Sequence, residues 1–221
     1  MAVEPPLMFT RIPFRPAALL AGLLLLNLPA ALGAAADPSS TLADPAVRRA
    51  RFLQVIDRPR VPLAPEVQAR PDDEGFAVQH VSYAVEAGER ATALVVRPKG
   101  ATGRRPVVIY LHGTGSSKDR SVARLKEFAR RGFVAVAPDG RFHGERIPAG
   151  ATGDAYADAM VAAFRTGQGH PFLYDTVWDV MRLLDYLGTR DDVDPARIGL
   201  TGMSKGGMET YLTRSEEHTS E

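Results

Sequence analysis

The spacing of hydrophobic and polar residues changes character several times along this chain. "FAVQHVSYAV" and "RATALVVRP" alternate apolar with polar positions, and "EAGE" between them supplies a turn glycine, the pattern of a β-hairpin. "RRPVVIYLHGTG" instead holds a continuous apolar run over residues 107–111, as strands buried on both faces of a parallel sheet do. In "SSKDRSVARLKEFARRGF", Val122, Leu125, Phe128 and Ala129 keep helical spacing and Gly132 makes a stop. "FVAVAPDG" reads as a second buried strand. In "DTVWDVMRLLDYLGTR" a helical stripe of Val177, Trp178, Met181, Leu184 and Leu187 ends at Gly188. "ARIGLTG" is a third short strand, and "KGGMETYL" opens another helix. This order predicts an α/β fold, a mostly parallel sheet with helices on both faces and an opening β-hairpin.

Outside that pattern the chain divides into further segments. Residues 146–171 are long for a strand-to-helix connection and frame a short helix, "DAYADAMVAAF", with glycines, which predicts a partial cap over the site. Residues 37–73 are rich in Pro, Arg and Asp and predict an extended N-terminal arm leading into the domain at 74–213. In residues 1–36, Arg11 and Arg15 precede an apolar run over 17–26, then "NLPAALGAAADPSS". This is the make-up of a signal peptide, with cleavage between residues 33 and 36. The run is shorter than the about 20 residues that span a bilayer. The expectation is therefore export to a periplasm or beyond, with no stable membrane span after cleavage; the alternative is an uncleaved anchor.

Composition narrows the chemistry. A net charge of +1 makes no electrostatic case for nucleic acid as a partner. The absence of cysteine excludes disulfides, thiolate zinc sites and cysteine nucleophiles. No His, Asp or Glu spacing reads as a metal site, and no cofactor is expected.

Two short motifs remain. Gly202, Met203, Ser204, Lys205 and Gly206 form a G-x-S-x-G frame between a strand and a helix, where a sharp turn lifts a serine oxygen above the sheet edge. "HGTG", His112 to Gly115 with Gly113 and Thr114 between, directly follows the first buried strand. Acyl transfer builds charge on a carbonyl oxygen, which two preorganised amides stabilise; the candidates are those of Lys205 and Thr114. A phosphate loop is the competing reading, but "GTGSSKD" lacks the glycine before lysine of a Walker sequence, and Lys118 stands where G-x-G-x-x-G needs its third glycine. His112 is expected to fix its loop rather than act as a base, and Asp139, Arg141 and His143 to brace loops. A Ser-Lys mechanism through Lys205 lacks the S-x-x-K spacing. His80 falls in the hairpin, and His170 at the pocket rim or in ordinary loop packing.

"HGTG", "APDGRFHGER", "DVDPARIGLTG" and "GMSKGG", in this order and at these spacings, resemble the α/β-hydrolase superfamily, in the branch of dienelactone-hydrolase-like esterases, acetyl-xylan-esterase-like enzymes and prolyl-oligopeptidase-type peptidases. The resemblance covers about residues 76–213. It implies a nucleophile at Ser204, oxyanion donors at Thr114 and Lys205, and hydrolysis of a small-molecule ester or a peptide through an acyl-enzyme. A carboxylic ester hydrolase is the first expectation; a prolyl-oligopeptidase-like peptidase and an inactive hydrolase-fold binding module are the alternatives.

In that pattern the acid and the histidine follow the serine on later strands. His218 arrives too early to be that histidine. The all-polar "RSEEHTSE", residues 214–221, resembles the in-frame translation of a common sequencing-library adapter. The expectation is a fold truncated at its C-terminus, with a non-native tail and with acid and histidine beyond the chain.

Overall fold

The computed structural model describes residues 44–217 other than Asp72, Glu74 and Pro171. The signal-like segment and His218 lie outside the described residues. In chain order the elements are α1 (Pro45–Ile56), β1 (Glu66–Ala69), β2 (Phe76–Glu86), β3 (Glu89–Pro98), β4 (Arg105–Leu111), α2 (Val122–Arg130), β5 (Val134–Pro138), α3 (Ala155–Thr166), α4 (Tyr174–Gly188), β6 (Val193–Gly202) and α5 (Lys205–Glu217). The strands form a six-stranded sheet in the order β1-β2-β3-β5-β4-β6.

Strands β2 and β3 are the expected hairpin. They turn at Ala87 and Gly88, where Gly88 takes a φ of +79°. The hairpin does not stand apart, because β3 pairs antiparallel with β5. The described sheet is therefore mixed, parallel from β5 through β4 to β6 and antiparallel on the β1–β3 side. What makes β3 an interior strand is burial on both faces. Ala93 and Val95 point into one core with Val134, Val136 and Ile109, while Leu94 and Val96 point into the other with Ala135 and Ala137. The period of two along a strand is what sorts them.

Helices cover both faces. Leu125 and Ala129 of α2 close the Leu94 side. Trp178, Val180 and Leu183 of α4, with Ile56 of α1, close the other. The buried stripe of α4 differs from the one its apolar residues outline. Val177, Trp178 and Leu187 are buried as expected, but Val180 and Leu183 replace Met181 and Leu184, which are only partly covered. The helix also buries Asp175, Thr176, Asp179 and Arg182, so its inner face is wider than its apolar one.

Within the expected extended arm, residues 37–73, the described part from residue 44 holds regular structure, a helix and a strand. Asp44 caps α1 by accepting from the Ala46 amide at 2.8 Å, and Pro45 fits the first helical position because its missing N–H would be unpaired there. Phe52 meets Tyr174 edge-on at 5.8 Å, Arg58 bonds Glu86 and Asp175, and Arg182 donates to the Val61 carbonyl. β1 then pairs with β2. Ile56, Phe52 and Leu63 pack on the core and the remaining contacts are polar or through the backbone, so few apolar positions announce this segment. The expected helix of residues 146–171 is present as α3, capped by Asp154 and stopped at Gly167 with φ +68°.

Candidate active site

Ser204 stands in the two-residue step from β6 to α5, exposed and with a φ of +54°. A non-glycine residue there is strained and persists only where its surroundings over-determine it. The flanking glycines do that. A Cβ on Gly202 would lie 2.3 Å from the Gly206 carbonyl, and one on Gly206 would lie 2.1 Å from the Leu111 oxygen. No side chain fits either place. The Met203 amide donates to Leu111 at 3.1 Å and that of Gly206 back to Met203 at 2.9 Å, closing the turn.

The "HGTG" loop lies against this turn. A Cβ on Gly113 would be 3.2 Å from the Met203 oxygen and 3.4 Å from the Ser204 Cβ. Among the described residues, neither the Thr114 nor the Lys205 amide donates to a backbone carbonyl. His112 is buried. Its Nε2 accepts the Gly140 amide at 3.1 Å, so the ring proton sits on Nδ1 and is donated to the Gly113 oxygen at 2.9 Å. Burial, reinforced by the Lys205 charge, lowers its pKa to about 4. The ring is neutral with both nitrogens engaged, which makes it a clamp between loops and not a proton acceptor.

Lys118 and Asp139 pin the loop from behind. Both are fully buried, with Nζ and Oδ2 2.7 Å apart. Asp139 also accepts from the amides of Lys118 at 2.8 Å and Glu145 at 3.1 Å and from the Thr92 hydroxyl at 3.2 Å. Gly144 lets the Asp139 carboxylate this close, since a Cβ there would stand 2.3 Å from Oδ1. Burial alone would lower the Lys118 pKa, but hydrogen bonds to Asp139 and Glu145 raise it instead. Arg141 and Arg146 both reach Asp179 of α4, Arg141 also bonding Glu86 and Arg146 bonding Glu89.

The remaining histidines stand elsewhere. His80 bonds Glu145 at 2.8 Å on β2, and His170 is exposed, its ring 6.0 Å from that of Tyr174. His143 is buried, its Nδ1 2.8 Å from the Arg141 oxygen and its Nε2 without a partner; burial lowers its pKa. It lines a cavity of 420 Å³ with Gly115, Ser116, Phe142, Asp154 and Tyr156, so α3 covers the space beside the "HGTG" loop. The Lys205 ammonium is turned under the step toward Glu209, 2.7 Å away. Glu209 and Tyr156 were not singled out by sequence; the four-residue spacing from Lys205 to Glu209 on a helix was the available signal.

Comparison with known proteins agrees with this fold. Residues 62–214 match the acetyl xylan esterase (AXE1) family. A Bacillus subtilis (strain 168) protein named "Putative hydrolase YtaP" is 28% identical over 183 residues, 76% of this chain and 59% of that protein. Two solved structures share the fold at low identity. A "putative acetyl xylan esterase" from Bacteroides fragilis NCTC 9343 has a TM-score of 0.65 at 20% identity, over 80% of this chain and 51% of that one. Acetyl xylan esterase 1 from Thermoanaerobacterium sp. JW/SL YS485 has a TM-score of 0.55 at 22% identity, over 77% and 53%. The chain thus spans little more than half the length of these relatives. With most of the α/β sheet and the whole Gly202–Gly206 turn inside the matched region, the chain belongs to the acetyl xylan esterase family.

Proposed function

We propose that the complete protein hydrolyses carboxylic esters through an acyl-enzyme on Ser204. The Ser204 oxygen attacks the ester carbonyl while its proton passes to a base. The tetrahedral oxyanion is held by the amides of Thr114 and Lys205, and collapse releases the alcohol, which takes up the proton. Water then attacks the acyl-enzyme, freeing the acid and restoring the serine. The observation that carries this reading is the strained φ of Ser204 beside two amides with no backbone partner among the described residues. The base is assigned outside the described residues, since none of the four described histidines hydrogen-bonds Ser204 and the Lys205 ammonium is occupied by Glu209. In the hydrolase chain order, acid and histidine fall C-terminal to α5. The family's name makes acetyl esters of a polysaccharide the first substrates to try, and the signal-like N-terminus supports a reaction outside the cytoplasm.

The test uses the complete gene product, a fluorophosphonate probe and p-nitrophenyl acetate. The parent should be labelled and turn over, and Ser204→Ala should do neither. Undiminished labelling of Ser204→Ala would move the nucleophile elsewhere. A folded parent that neither labels nor hydrolyses favours the binding-module reading.

A further inference from the structure

This inference rests on the reading of Ser204 as the nucleophile and concerns the side chain that follows it. Lys205 and Glu209 are each 1% exposed, with Nζ and Oε1 2.7 Å apart. Charged pairs four residues apart on a helix ordinarily sit at its wet surface. Here both have left water, and a buried ion pair is often less stable than apolar side chains of the same volume. Stability therefore does not explain it; position does.

The ammonium is met from several elements at once. The Tyr156 ring of α3 has its centroid 5.5 Å away. Beyond β5, Gly140 leaves the space Nζ occupies, since a Cβ there would stand 3.0 Å from Nζ and 3.7 Å from His112 Cε1. Glu209, which anchors Nζ, is itself hydrogen-bonded to Thr176 of α4. The connections after β4 and β5 thus converge with α3 and α4 on one side chain. Its own Cα carries the amide next to Ser204, so fixing the side chain fixes the amide.

We propose that the Lys205 side chain is a positioning residue for the ester-cleaving turn. Held by Glu209 and roofed by Tyr156, it orients the Lys205 amide toward the oxyanion and ties that orientation to the α3 segment. It touches no substrate and acts only through the backbone it shares with the turn.

The experiment compares Lys205→Met and the paired Lys205→Met/Glu209→Met with the complete parent protein. It reads kcat and KM on p-nitrophenyl acetate, inhibition by a boronic acid that forms a tetrahedral adduct, and urea unfolding. The paired variant, with no charge left unpartnered, should unfold at close to the parental urea concentration. Its kcat should fall roughly tenfold or more with KM within about twofold, because only the charged tetrahedral state feels the amide. Boronate affinity should fall by the same factor, and Lys205→Arg should restore part of both. A paired variant with parental kcat and boronate affinity overturns the proposal. So does one that fails to fold, since the pair would then support the fold and not the turn. A parent that neither labels nor hydrolyses fails the ester-hydrolase reading itself, a result separate from any difference between variants.

Discussion

The Nε2 of His112 accepts the backbone amide of Gly140 at 3.1 Å, binding the loop after β4 to the loop after β5 through one neutral imidazole. The pKa of about 4, against 6.5 for an ordinary histidine, gives this bond a pH dependence. Between those values the unfolded chain takes up a proton that the folded chain refuses. The stability contribution is complete above pH 6.5 and is lost as pH falls toward 4, about 3 kcal/mol in all. Glu209 opposes it over part of this range, since burial raises its pKa from 4.5 to about 6 and stability is gained as pH falls from 6 to 4.5. The stability difference between parent and His112→Gln isolates the histidine. Urea unfolding from pH 7.5 to 4.5 should show that difference shrinking below pH 6.5, and a constant difference would exclude a clamped neutral ring.

Gly206→Ala places a methyl 2.1 Å from the Leu111 oxygen, backbone that cannot swing aside. Overpacking of this kind costs on the order of 1–3 kcal/mol, or displaces the turn. Urea unfolding and probe labelling of Ser204 should both decline, whereas Gly188→Ala, where a Cβ meets nothing within 4 Å, should change neither.

Asp139→Ala leaves the fully buried Lys118 ammonium with only the half-exposed Glu145 and Asp119 as carboxylate partners. Breaking a buried pair on one side costs about 3–5 kcal/mol, while replacing both partners by apolar groups is often neutral. Chemical denaturation should therefore find Asp139→Ala much less stable than Lys118→Met/Asp139→Leu.

In the proposed mechanism Thr114 acts through its amide and not its side chain. Thr114→Ser should keep kcat within about threefold, and Thr114→Pro, which removes the donor, should lower it by about 2.7–4 kcal/mol in transition-state stabilisation. Circular dichroism checks that the loop survives. A proline variant with parental kcat would assign the second donor to another residue.

Much of this architecture is written in the periodicity of apolar residues. The β2–β3 hairpin, β4, α2, β5, α3 and the strand–serine–helix step all lie where the spacing puts them. What is not written that way is held by charge. Asp175, Asp179 and Arg182 read as the wet side of α4, yet they are buried because Arg58, Arg141 and Arg146 neutralise the carboxylates while Asp185 and the Val61 carbonyl hold Arg182. The same partners fix residues 57–61, which no hydrophobic pattern marks as ordered. Lys205 stands out in the sequence as a candidate donor through its amide. Its buried ammonium is not, because a lysine in sequence implies water.

Gly202 faces Leu111 in the β4–β6 register, and β4 is the neighbour of β6 among the described strands. A slip of β6 by one residue would exchange its two faces. Here sliding is blocked by fit. Threading β6 back by one position would put Thr201 and Lys205 at the two points that have no room for a Cβ, and threading it forward would put Met203 at the first of them. The two glycines thus act as a key that fits one alignment, and the place of Ser204 follows from it.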